Sequence, residues 1–305
     1  MLNIQRILCP TDLSACAQHA LPVATRFAQL HGADLHLLHV QVLHSEHYLE
    51  RRDPYPGEKA ARLALEEAVP EIAWGEVYHE TVQGVSAGQA ILGYAEEHDV
   101  DMIVMGSHGR RGVRRLLLGS VTEEVVRLAK CPVLVVRLDE KAAPLAVDKI
   151  LLPVDFSTHT SLAVGVAREL ASAFGANVDL LHAVELPLYP ETYLQNASRP
   201  EVLRQEAEDR LARLAETMEL DRTPGVGAVI GRASGEVIEA AEKGGYDLIV
   251  MPSHGYTGYE RTLLGSVAER VLRQAPCPVL VLKGDGKELR PDEPLAAVTD
   301  EQPVA

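Results

Sequence analysis

Short apolar runs recur along the chain, each closed by glycine, proline or an acidic residue, and between them apolar positions fall at helical spacing. Residues 5–10, 33–40, 76–82, 101–105 and 132–137 read as strands, and residues 14–30, 58–69, 86–97 and 120–130 as helices. Pro22 lies inside the first helix and predicts a kink or an irregular turn there. The pattern then starts again. Strands at 149–154, 177–183, 227–230, 246–251 and 278–282 alternate with helices at 157–174, at 234–243, at 266–274 and at one opened by the capping box Ser198-Arg-Pro-Glu201. Alternating strands and helices predict an α/β chain of two doubly wound parallel sheets, each five-stranded, related by internal duplication. The expected domains are 1–138 and 148–284, with a linker at 139–147. The segment 285–305, with three prolines, six acids and two bases, is expected to be a disordered tail.

The duplication shows most clearly from Met105 to Arg137, which matches Met251 to Lys283 at 20 of 33 positions. Within it, a buried strand runs into Gly106-Ser-His-Gly109, an arginine-bearing loop, then Gly119-Ser120-Val-Thr-Glu123. Ser120 and Glu123 have capping-box spacing at the start of the next helix. Strand, glycine loop and helix start is a layout that gathers backbone N–H groups around an anion.

Bulk properties narrow the field. A formal net charge of −15 opposes nonspecific binding to nucleic acid or to an anionic membrane surface. No apolar run approaches the 18 or so residues of a membrane span, and the opening Met1-Leu-Asn-Ile-Gln-Arg leads straight into a strand, so no signal peptide is expected. Cys9, Cys16, Cys131 and Cys277 have neither metal spacing nor disulfide density, which fits a reducing cytoplasm.

The spacing G-x2-G-x9-G-S resembles the nucleotide-binding signature of the universal stress protein family, in its ATP-binding branch. Each half also opens with that family's other mark, Pro10-Thr11-Asp12 with Leu-Ser after it and Pro153-Val-Asp155 with Phe-Ser after it. The resemblance covers nearly the whole chain. It implies a Rossmann-like, adenine-nucleotide-hydrolase-like fold, pairing of the two halves through their last strands, and ATP as ligand, alone or with Mg2+. A homodimer is also compatible with it. In an open parallel sheet, ligands sit beyond the carboxyl ends of the strands where strand order reverses. Asp12, after Pro10 and Thr11, would offer its carboxylate to a ribose hydroxyl, and the Val40 backbone would take the adenine edge, a role the family gives that position. Gly106 and Gly109 would let the backbone approach the ligand. The amides of Gly119, Ser120 and Val121 would hold phosphates, with His108, Arg110, Arg111, Arg114 and Arg115 nearby.

The second half offers Asp155, Ala183, Gly255, Gly265, Ser266 and Val267 at matching positions. Pro252 replaces Gly106 there, and Tyr256, Thr257 and Glu260 replace three of the arginines, leaving Arg261. The first half is therefore expected to hold ATP tightly, and the second weakly or to take a less charged ligand. The family implies action in stress response by nucleotide-dependent signalling or protection. No general base for water attack stands out, so hydrolysis should be slow at most. Competing readings are an ATPase using His108 and a divalent metal, and a nucleotide-free scaffold or small-ligand carrier. Gly84-Val-Ser86-Ala-Gly88 matches a nucleophile elbow, with Asp99 or Asp101 and His108 completing a triad, but Ser86 reads better as a helix cap. His44 and His47 near His39 are weak metal candidates.

Overall fold

The computed structural model describes residues 2–43, 65, 74–108, 118–137, 146–186, 200–254 and 264–284. The expectations for Gly109, Arg110, Arg111, Arg114, Arg115, Gly255, residues 256–261, His44, His47, Ser198 and the tail lie outside the described residues. So do most of the linker and, apart from the buried Leu65, the helix expected at 58–69.

In the first half the strands are β1 (Arg6–Thr11), β2 (Asp34–Val42), β3 (Val77–Gly84), β4 (Met102–Gly106) and β5 (Val133–Val136). Its helices with both ends among the described residues are α1 (Ala15–His31), α2 (Ala87–Glu97) and α3 (Ser120–Leu128). The second half has β6 (Lys149–Pro153), β7 (Asn177–Val184), β8 (Gly225–Ile230), β9 (Leu248–Pro252) and β10 (Val279–Leu282). Between them lie α4 (His159–Phe174), α5 (Pro200–Glu216), α6 (Ala233–Gly244) and α7 (Ser266–Gln274). Each half orders its strands by the same rule, and the two join into one ten-stranded sheet, β3-β2-β1-β4-β5-β10-β9-β6-β7-β8. All pairings are parallel except the seam, where β5 and β10 run antiparallel with Leu134 opposite Leu280.

The apolar runs explain this arrangement. Val-Leu-Val-Val of β5 and Val-Leu-Val-Leu of β10 are buried throughout, as strands covered on both faces must be. One core lies on each face of the sheet, and both cores cross the seam. Phe27 and Phe174, from α1 and α4, meet edge to face at 5.6 Å in one, and Val133, Val135, Val279 and Val281 share the other. The seam thus hides two edges that would otherwise stand open to pairing.

Helix α1 continues through Pro22 without interruption, against the expectation of an irregular turn. Pro22 and Gln18 are both exposed, so the carbonyl that loses its partner is open to water. Gly32 and Gly175 end α1 and α4 with φ of 64° and 70°, conformations that a Cβ would strain.

Candidate functional site

Strand order turns between β1 and β4 in the first half and between β6 and β9 in the second, which places a crevice beyond their carboxyl ends. Pro10 is buried in β1, and the chain leaves the strand at Thr11. The next turn is built identically in both halves. Leu13 and Phe156 take left-handed backbone, φ 63° and 57°, which costs a bulky residue on the order of 1 kcal/mol. Carboxylates hold the turn closed: Asp12 Oδ1 accepts the Ser14 N–H at 3.0 Å, and Asp155 Oδ1 accepts the Ser157 N–H at 3.0 Å and the Thr160 hydroxyl at 3.1 Å. Neither aspartate is a helix cap. Ser14 caps α1, its hydroxyl accepting from Ala17 N at 3.3 Å. His39 Nδ1–H donates to Thr11 O at 2.9 Å, and His182 does the same to Val154 O at 2.7 Å, fixing one wall of each crevice.

Backbone alternation decides which groups face the crevice. In β2, Asp34 N–H bonds to Gln5 on the β1 side and Leu35 N–H to Glu76 on the β3 side, so even-numbered residues face β1. The β1 ladder ends at Thr11 opposite His39, and Val40 is the next even-numbered position, at the ladder's end. The same logic in β4 turns Gly106 toward β1, past the last partners Leu8 and Ile103, because Ile103 N–H and Ser107 N–H go to β5. Pro252 occupies the matching place in β9 without losing a ladder bond, since β6 pairing ends at Ile249. The second half therefore lacks one crevice amide.

One expectation is extended here and two are corrected. A Cβ on Gly106 would stand 2.9 Å from Cys16 O, so this glycine makes room for the start of α1, not only for a ligand. The Gly119 amide is already used: it donates to Ser107 O at 2.8 Å, and Gly265 donates to Ser253 O at 2.9 Å. Finally, Ser120 forms no capping box. Gly119 is the N-cap, without a side-chain cap bond, and Ser120 is the first helical residue, its side chain exposed. The amides of Ser120 and Val121 are among the first-turn N–H groups of α3 that have no intrahelical acceptor, at the positive end of its dipole. Ser266 and Val267 hold the same places in α7.

Behind the helix start, Thr122 Oγ1 donates to Gly106 O at 2.9 Å and locks α3 to the end of β4. Ser107 Oγ and His108 Nδ1 are 2.8 Å apart, and Ser253 and His254 repeat the pair at 2.9 Å. Burial, and then the nearby Arg137 guanidinium, pull His108 below the ordinary histidine range. Its Nε2, like that of His254, is buried without a hydrogen-bond partner among the described residues.

Sequence reasoning missed the residues that tie the halves together at this level. Arg137 Nη1 donates to Arg273 O at 2.9 Å at the end of α7, and Lys283 Nζ donates to Val126 O and Arg127 O at the end of α3. Their shared repeat position and shared positive charge were the available signal. Around Asp155 the second half also differs in chemistry. The Arg210 guanidinium lies 3.9 Å over the Phe156 ring, which itself sits 4.7 Å from the His182 ring.

The hydrolase triad does not assemble. Ser86 caps α2, accepting from Gln89 N at 3.4 Å. Asp101 accepts the N–H groups of Gln5 and Arg6, both at 2.8 Å, and so sits at the amino end of β1, across the sheet from His108. Asp99 pairs with Arg6 at that same end. Among the described residues no group of three His, Cys, Asp or Glu side chains could hold a metal, and no helix is long and apolar enough to cross a membrane.

Both halves, residues 3–137 and 146–283, match the model of the Universal stress protein family. This chain belongs to that family. A universal stress protein of Mycolicibacterium smegmatis is 30% identical over 293 residues, covering 91% of this chain and 96% of the relative. Two tandem-length crystal structures share the fold. A protein described as functionally unknown from Pseudomonas aeruginosa PAO1 has a TM-score of 0.67 at 22% identity, covering 93% of this chain and 94% of its own. A universal stress protein from Archaeoglobus fulgidus has a TM-score of 0.63 at 23% identity, covering 92% and 99%.

Proposed function

We propose that this universal stress protein binds ATP in its first half and acts in stress response through that binding, by signalling to partners or by protection. The observation that carries the reading is the start of α3, where the amides of Ser120 and Val121 are unclaimed among the described residues, at a helix N-terminus beside the β1–β4 crevice. The Val40 backbone suits an adenine edge and Asp12 a ribose hydroxyl. Mg2+ would arrive on the phosphates. In the second half Pro252 removes one crevice donor and Phe156, His182 and Arg210 crowd the neighbouring turn, which favours weaker or different binding there.

Proline is well tolerated as the first residue of a helix, and Gly119, at ψ 144°, already has the extended backbone that must precede it. Ser120→Pro therefore deletes one phosphate donor without breaking α3. Calorimetric titration of the full chain with ATP should show a tenfold or greater loss of affinity for Ser120→Pro, since a hydrogen bond to a charged group is worth about 1.5–3 kcal/mol. Ser266→Pro should leave the tight site intact. Absence of ATP binding by the wild type, or equal affinity in Ser120→Pro, would overturn the assignment.

A second reading, slow ATP hydrolysis, rests on the Nε2 of His108, unpartnered among the described residues. Turnover that is measurable in the wild type and lost in His108→Ala would favour it.

A further inference from the structure

Glu123 lies in the first turn of α3 and Glu269 in the first turn of α7, the same repeat position in each half. With Gly119 and Gly265 as caps, each acid is the fourth helical residue, one past the position from which an acid folds back to bond the cap amide. Here that amide is taken, since Gly119 N–H and Gly265 N–H donate to the carbonyls of Ser107 and Ser253. Both carboxylates go instead to one guanidinium. Arg273 Nη2 donates to Glu123 Oε2 at 2.8 Å across the seam and to Glu269 Oε1 at 3.1 Å within its own helix, with Nε also on Glu269 at 3.2 Å. The arrangement is not reciprocal. Arg127, the repeat counterpart of Arg273, is exposed and makes no ion pair among the described residues.

Resting on the nucleotide reading above, we infer that Arg273 is a positioning residue supplied by the second half to the anion site of the first. It draws the Glu123 carboxylate away from the Ser120 and Val121 amides and neutralises it, so that a polyphosphate meets a donor surface without a fixed negative charge beside it. The Arg273 carbonyl performs a related task. It accepts from Arg137, whose positive charge lies close enough to His108 to bear on that ring. The first site is thus completed from the second half even if the second half holds no nucleotide.

Without Arg273, Glu123 is left about one helical turn from bound phosphates. Repulsion between solvent-exposed charges at that range corresponds to about a fivefold loss of affinity at low ionic strength and is largely screened at high salt. The test is ATP titration of the full chain at 50 and 300 mM salt for the wild type, Arg273→Gln, Glu123→Gln and the double variant, with urea unfolding to confirm that each is folded. Arg273→Gln should bind about fivefold more weakly at 50 mM salt, with a smaller loss at 300 mM, and adding Glu123→Gln should restore wild-type affinity. Wild-type affinity in Arg273→Gln would overturn the inference, and so would a double variant as weak as the single one, because a merely structural arginine is not rescued by removing its acid. A wild type that binds no ATP defeats the nucleotide reading itself and takes this inference with it.

Discussion

Leu13 and Phe156 sit in the same left-handed turn, each after an aspartate that holds the turn shut, yet their surroundings have diverged. Around Leu13 the crevice keeps Gly106, with its amide turned toward β1. Around Phe156, an arginine and a histidine pack onto the ring, and Pro252 has replaced the glycine. The skeleton of the turn is common to both halves, and the groups packed around it differ. That difference separates what the fold requires from what it leaves free: the turn, the Thr11 and Val154 carbonyls bonded by histidine, and the Gly119 and Gly265 amides bonded to serine carbonyls recur, so they are architecture.

The largest effect that can test this comparison comes from the two cations that cross the seam. Burial holds Lys283 down to about 8 from 10.5. Above pH 8 the folded chain has released a proton that the unfolded chain keeps until about 10.5, so stability rises with pH across that window, by up to about 3 kcal/mol. Arg137, its counterpart, stays protonated throughout. In urea unfolding from pH 7.5 to 10, the wild type should gain stability relative to Lys283→Met, while Arg137→Met should keep the wild-type slope. A wild-type advantage over Lys283→Met that does not change with pH would show the two ends of the seam to be electrostatically alike.

Next in size is the glycine–proline difference. Gly106→Ala pushes a methyl group to 2.9 Å from Cys16 O and should cost about 1–3 kcal/mol in unfolding experiments. Pro252→Ala should change stability by no more than about 1 kcal/mol, mainly through the unfolded chain. Similar costs at both positions would mean that the helices approach their strand ends equally closely. The smallest effect concerns Arg210. Arg210→Gln removes a cation–π contact worth about 0.5–1 kcal/mol. It also removes a positive charge that helps burial hold His182 low, so that ring should titrate at higher pH by NMR.

The architecture was legible in the sequence because buried strands such as Val-Leu-Val-Val have few alternatives and because the repeat showed each element twice. The position of the crevice was legible too, since Asp12, Gly106 and Ser120 stand at the ends or starts of elements whose order a parallel sheet dictates. What escaped depended on partners that composition does not mark. Nothing about leucine or phenylalanine announces a left-handed backbone at Leu13 or Phe156. Ser120 fits a capping-box spacing, but the cap falls one residue earlier, on Gly119, once the Ser107 carbonyl takes that amide. Arg137, Lys283 and Arg273 acquire their contacts only when β5 and β10 meet antiparallel, a juxtaposition fixed by the whole fold and not by any local stretch.

That antiparallel junction also constrains how the molecule can be taken apart. A fragment ending near residue 138 would leave Val133 to Val136 with an open margin of hydrogen-bonding groups and a half-covered apolar surface on each side. Such a fragment is expected to recruit a twin and rebuild the junction as a symmetric homodimer. Joining the two units in one polypeptide makes the companion unequal, and an unequal companion is free to become a helper rather than a copy.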